Sequence, residues 1–187
     1  MKCILSLFLF TCSSFFYAQQ PCNYSTNVVD SLGTYKSTKE YLMFQRSFDD
    51  NKNYIFLSLI KTDNTPVLNL QVIQKSPNFI KADCLDANSR IYFQLANGKI
   101  ITVIHTDDGN CGTSLRIDNQ NTRISTGSFL FMKGSLQDLK SSKILMMLIK
   151  YTTGTIDYVT RNELISEISD EVSHPEDYFI NTIKCIE

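Results

Sequence analysis

The stretch Cys84–Cys111, CLDANSRIYFQLANGKIITVIHTDDGNC, decides how the chain is read. Asn97-Gly98 stands at its centre, and that dipeptide suits a two-residue type I′ turn because both central residues need φ > 0. Alternating runs flank it, Arg90–Ala96 before and Lys99–Thr106 after. A two-residue turn sets Ala96 opposite Lys99. Leu95 then faces Ile100, Phe93 faces Thr102 and Ile91 faces Ile104, a nearly apolar side expected to meet the core. Gln94 with Ile101, Tyr92 with Val103 and Arg90 with His105 make the other side. The same count carries Cys84 opposite Cys111, at a separation that a disulfide accepts. Regular pairing is interrupted by Asp86-Ala87-Asn88 and Asp107-Asp108-Gly109.

Short β-rich runs lie on either side of this hairpin. Upstream come Tyr41–Phe48, Tyr54–Lys61 and Val67–Gln74, separated by Asp/Asn turns or Pro-containing links. Such spacing argues for an antiparallel meander. The run YIFLSLI is apolar on both faces, so it is expected to be covered on both sides. Downstream, Ser114–Ile117 and Ile124–Met132 read as strands joined by the polar link Asp118–Thr122. Ser135-Leu136-Gln137-Asp138 has the form of a capping box opening a short helix. Lys143–Tyr151 turns at Thr153-Gly154 into Thr155–Thr160, a second hairpin. Leu164, Ile165, Ile168 and Val172 then recur at helical spacing after Asn162. A capping box at Ser173-His174-Pro175-Glu176 opens a last helix with Phe179, Ile183 and Ile186 on one face.

The N-terminal end reads MKCILSLFLFTCSSFFYAQQ. Lys2, the apolar run Ile4–Phe10 and Ala18 lay out a secretory signal peptide over residues 1–18. A membrane anchor would need ~20 apolar residues, more than the run supplies. A lipoprotein leader ending at Cys12 is the other reading; it would leave Phe15-Phe16-Tyr17 in an exposed tether. Removing 18 of the 187 residues leaves 169, enough for one domain with a core, expected over residues 19–187. Residues 19–34 are polar and read as a loosely held lead-in. No later run is long and apolar enough to span a bilayer.

The mature chain carries 17 basic and 19 acidic side chains, a net charge of −2, with no basic run. Nucleic acid is therefore not an expected partner. Four cysteines remain: Cys22, Cys84, Cys111 and Cys185. An even count in an exported chain reads as two disulfides with three possible pairings. If Cys84 takes Cys111, Cys22 joins Cys185 and the two ends are tied. Zinc ligation is the alternative, but no C-x₂-C spacing is present.

Few residues offer chemistry. His105, beside Asp107 and Asp108, suits a metal-binding or general-base role, or is an ordinary strand-end histidine. His174 falls in a helix first turn. Asp49, Asn51 and Asn53 match the opening of a calcium loop, but Tyr54 and Ile60 stand where Gly and Glu belong, so a five-residue polar hairpin loop is the better reading. No nucleophile elbow, glycine-rich phosphate loop or zincin motif occurs. No cofactor is expected.

In its gross features, an exported, disulfide-bearing, β-rich chain of this size, the protein resembles the lipocalin class. The G-x-W motif of that class has no counterpart in a chain with no Trp. No residue's role is carried over.

The expected fold is mainly antiparallel β, as a sandwich, an open curved sheet or a partial barrel, with one or two short C-terminal helices; α+β is the alternative description. The expected function is an exported, non-enzymatic binding or protein-interaction module. Alternatives are a carrier holding an apolar molecule between sheet and helix, near Phe93, Met146 and Phe179, and a small metal-dependent hydrolase using His105 with Asp107 or Asp108.

Overall fold

The computed structural model describes residues 21–31 and 33–187. The expected leader and Cys12 lie outside them. Eleven strands form one antiparallel sheet: β1 (Tyr24–Asp30), β2 (Gly33–Thr38), β3 (Tyr41–Phe48), β4 (Asn51–Thr62), β5 (Thr65–Ser76), β6 (Arg90–Leu95), β7 (Ile100–His105), β8 (Thr113–Ile117), β9 (Gln120–Phe131), β10 (Ile144–Tyr151) and β11 (Gly154–Val159). Their order is β1-β2-β4-β5-β9-β7-β6-β10-β11. The long strands β4 and β9 flank β5, and each divides one edge between two partners. β4 pairs β3 along its first half and β2 at its end, and β9 pairs β8 and then β7.

The sheet curls onto itself without closing. Phe44 on β3 and Tyr158 on β11 meet edge to face at 5.0 Å, although those strands share no backbone ladder. Inside the curl lies one core of Ile55, Leu57, Leu59, Leu68, Leu70, Ile91, Phe93, Val103 and their neighbours. β4 is buried on both faces as its sequence implies. A second small cluster of Leu42, Tyr54 and Leu164 covers its outer face.

Asp and Asn make the turns because they tolerate left-handed backbone at small cost. Asp49 and Asp63 (φ 53° each) sit in two-residue turns, where Phe48 pairs Asn51 and Thr62 pairs Thr65. The β3–β4 loop is therefore shorter than the five residues expected. Asp118 and Asn119 both take positive φ, so the supposed polar link is a tight turn between β8 and β9.

The central hairpin departs from its expected register. Leu95 N–H donates to Lys99 O, and Gly98 N–H donates to Leu95 O. Gly98 alone adopts positive φ (83°). The loop thus has three residues, Ala96-Asn97-Gly98, with the glycine as a bulge. Phe93 pairs Ile101 and Ile91 pairs Val103. Because side chains alternate with period two, this single step turns β7 over. Ile101, Val103 and His105 face the core with Ile91, Phe93 and Leu95, while Ile100 is exposed. A second irregularity follows: Ser89 still accepts from His105 N–H, yet Leu85 bridges Asn110. The two offsets cancel, and Cys84 meets Cys111 after all.

Both disulfides are formed, Cys84–Cys111 and Cys22–Cys185. The second joins the start of the described chain to the C-terminal helical segment, where Tyr24 Oη also donates to Cys185 O at 2.9 Å. Residues 24–30 form β1, a correction to the loose lead-in. Two capping boxes and one helix are corrected as well. Helix α1 (Ser135–Ser141) is preceded by Gly134, and no side chain caps it. Leu164–Ile165 (β12) and Val172–Ser173 (β13) pair as a small ribbon where a helix was expected. There the apolar period follows burial of Leu164 against β3 and β4, with Ile165, Ile168 and Val172 left exposed. The last segment opens on a 3₁₀ turn at Pro175–Asp177, uncapped by any side chain, and continues as α2 (Tyr178–Thr182) and a second 3₁₀ turn at Ile183–Ile186. Its Phe179, Ile183 and Ile186 are buried as expected.

Candidate functional site

Helix α2 plugs one end of the curl. Phe179 meets Phe93 at 4.9 Å and Phe131 at 6.1 Å, and Tyr178 meets Tyr41 at 5.1 Å. The space where an apolar ligand was expected is filled by these rings. Met146 is only half-buried, and it is the neighbouring Met147 that joins the core.

The other end of the curl is different. Along the inner face the cross-strand rows run Phe44–Ile55–Val72–Ser125, then Arg46–Asn53–Gln74–Arg123, with Phe48–Asn51 and Ser76–Asn121 beyond. The interior therefore changes from apolar to polar within one row. Here a cleft of roughly 370 Å³ opens, lined by Arg46, Phe48, Asn53, Gln74, Lys75 and Phe79 among others. That volume falls within the range of small-ligand sites. Phe48 is 73% exposed and Phe79 85%.

Phe79 is held out by a loop fixed at both ends. Asn78 N–H donates to Ser76 Oγ at 3.0 Å, and Asn121 Nδ2 donates to the carbonyls of Pro77 and Asn78. At the far end Thr153 Oγ1 donates to Asp83 Oδ1 at 2.8 Å, immediately before the Cys84–Cys111 bridge. Polar groups lie beneath the cleft. Asn53 Oδ1 and Arg123 Nε are buried without a hydrogen-bond partner. Behind Asn53, Tyr151 and Tyr158 are hydrogen-bonded to each other. Burial, the first cause for both, pushes their phenols above the ordinary tyrosine range. An unpaired buried polar atom costs about 1–3 kcal/mol.

His105 lies elsewhere, inside the core. Its side chain is 0% exposed, and Nδ1 is 3.0 Å from the carbonyl of Asp86. That bond makes Nδ1 the protonated nitrogen and leaves Nε2 facing Gly127, without a partner. Asp107 Oδ2 is 4.0 Å away and accepts Ser128 N–H at 2.6 Å. The imidazole therefore has no path to a substrate, and Asp107 is occupied by the backbone of β9. Among the described residues no group of three His, Cys, Asp or Glu could hold a metal. His174, on the surface, bonds through Nδ1 to Asn162 O at 2.9 Å.

Sequence reasoning missed Arg46, Phe48 and Phe79, and weighed Asn53 only as part of a calcium loop that it set aside. One signal was available: Phe79 is an aromatic residue in the polar turn Ser76-Pro77-Asn78, where no strand or helix pattern calls for it. No family model, curated protein or solved structure matches this chain.

Proposed function

We propose that the protein is an exported, non-enzymatic binding module whose ligand occupies the cleft at the open end of the curled sheet. The observation that carries this reading is that two exposed phenylalanines, Phe48 and Phe79, line one cleft with the polar cross-strand row Arg46–Asn53–Gln74. Exposed aromatics rimming a concavity mark an interaction site more often than chance surface composition does. Export is supported by the leader-like residues 1–18 and by two disulfides, which persist in oxidising compartments. Among the described residues no helix is long and apolar enough to cross a membrane. The inward-facing His105 lends no support to the hydrolase alternative.

The test is a thermal-shift panel on the mature, oxidised protein, with anionic, cationic and neutral amphiphiles, oligosaccharides and divalent metals. A ligand at 100 times its Kd adds about 2.7 kcal/mol, which for a domain of this size raises Tm by roughly 5–10 °C. The shift is expected to vanish in a Phe48→Ser/Phe79→Ser variant. A flat panel, or turnover that disappears in His105→Ala, would sink the proposal.

A further inference from the structure

Resting on that reading, we infer that the ligand is a neutral oligosaccharide, with its hydroxyl groups held by Arg46, Asn51, Asn53 and Gln74 and its ring faces lying against Phe48 and Phe79. All six residues line the one cleft. Lys52 and Lys75 share the outer face with Tyr54 and Ile73. Among the described residues, Arg46 is thus the one charged side chain that the inner face contributes to the cleft walls.

The polar argument comes from register. Arg46, Asn53 and Gln74 stand abreast on β3, β4 and β5, and Asn51 follows beside Phe48 in the next inner-face row. Neighbouring strands lie about 4.8 Å apart, close to the advance of one ring along a linked pyranose chain. Successive hydrogen-bonding groups in the row therefore fall at the spacing of successive sugar rings. Among the described residues Arg46, Asn51 and Gln74 make no side-chain hydrogen bond or ion pair, so all three are open to a ligand. A carboxamide offers donors and an acceptor in one plane, and a guanidinium offers a fork of donors. A hydroxyl both donates and accepts, so the hydroxyls of a sugar meet both kinds of group. No Asp or Glu lines the cleft. An anion would leave the carboxamide carbonyls without donors, and a cation would leave the amide and guanidinium N–H groups without acceptors.

The apolar argument comes from exposure. Phe48 and Phe79 remain largely in water at 73% and 85% exposure, and among the described residues neither touches another aromatic ring. They are two separate platforms, one at the end of β3 and one on the loop after β5 that Asn121 anchors. A pyranose ring presents C–H groups on its face and hydroxyls at its edge. The face lies flat on a phenyl ring and takes it out of water, while the edge stays free to hydrogen-bond. Two platforms beside one polar row call for at least two linked rings. A hydrocarbon chain would cover the phenylalanines but bury the polar row unpaired, and a single small polyol would leave one platform in water.

The experiment is an NMR and calorimetric titration of the mature, disulfide-intact protein. The probes are cellohexaose, maltohexaose, chitohexaose and xylohexaose, with glucose, adenosine, decanol and decanoate as contrasts. At least one hexaose is expected to bind, to shift the amides of residues 46–53 and 74–80, and to keep its affinity as salt is added, since no ion pair forms. Glucose should bind at least about tenfold more weakly, because it covers one platform. Gln74→Ala and Phe48→Ser/Phe79→Ser should each lower hexaose affinity about tenfold or more. None of these side chains is buried in the core, and an unchanged melting curve verifies folding. Adenosine, decanol or decanoate shifting the cleft amides in place of every hexaose overturns the saccharide assignment while the cleft stands as a binding site. Glucose binding as tightly as the hexaoses overturns the oligomeric assignment in the same way. If a hexaose binds but perturbs no cleft amide, the cleft itself is refuted, and the reading on which this inference rests falls with it. If no probe binds, the saccharide assignment is refuted, and a flat thermal-shift panel removes the reading beneath it as well.

Discussion

Gly127 and His105 are matched to each other. A Cβ on Gly127 would stand 2.6 Å from Leu85 Cδ1 and 3.1 Å from His105 Nε2, so the missing side chain is what admits a histidine ring beneath β9. Phe129, the cross-strand partner of His105, packs its ring against the imidazole at 5.1 Å. Gly127→Ala should therefore overpack the site and cost about 1–3 kcal/mol in a urea melt; a neutral result would mean that Leu85 moves freely. The buried phenols give a second prediction. Tyr151, Tyr158 and Tyr178 all have raised pKa values, with burial the first cause. The unfolded chain releases these protons near pH 10 and the folded chain holds them above it. Above that pH the unfolded state binds fewer protons, so stability falls as pH rises past about 10. Absorbance titration should show these tyrosines ionising together with unfolding. Early, reversible ionisation of these three would contradict their burial.

At the scale of elements, the two disulfides differ in the loop they close. Cys84–Cys111 spans 27 residues and Cys22–Cys185 spans 163. On the chain-entropy relation the first contributes roughly 3.5 kcal/mol and the second roughly 5 kcal/mol. Paired Cys→Ser variants should lose stability in that order in chemical denaturation. The reverse order would show that local contacts of the Cys84 loop outweigh loop length. The strands of the meander were legible because alternation and Asp/Asn turns mark them independently of partners. Hairpin register was less so. Asn97-Gly98 fits both a two-residue I′ turn and a three-residue bulged loop, and the choice rests on which face of β7 the core accepts. Phe129, Leu85 and Gly127 made a space that suits His105, and the longer loop followed. The ribbon at Leu164–Ser173 was misread for a related reason. A short apolar period does not distinguish a helix from two brief strands when the burial partners, Leu42 and Tyr54, are distant in sequence.

For the molecule as a whole, stability should be graded from the middle of the sheet outward. β4 and β5 share an eleven-pair ladder and are walled by neighbours on both sides. β1 and β8 have mostly exposed residues at the margins. Hydrogen exchange should be slowest in β4, β5 and the adjoining half of β9, and fastest in β1 and β8. Uniform protection would instead indicate that the margins unfold only with the core. By itself, the chain's sequence determined the β class, most strand positions, the burial of β4 on both faces and the aligned apolar face of the last helix. Each follows from local periodicity and turn chemistry. The joining of Cys84 to Cys111 was legible only as a coincidence of count. Tertiary structure alone decided the curl, the inward turn of His105 and the gathering of Arg46, Phe48, Asn53, Gln74 and Phe79 at one opening. Those five residues come from three strands and a loop, and only strand register brings them together. Register is set by how distant side chains fill a shared core, and no local pattern records that.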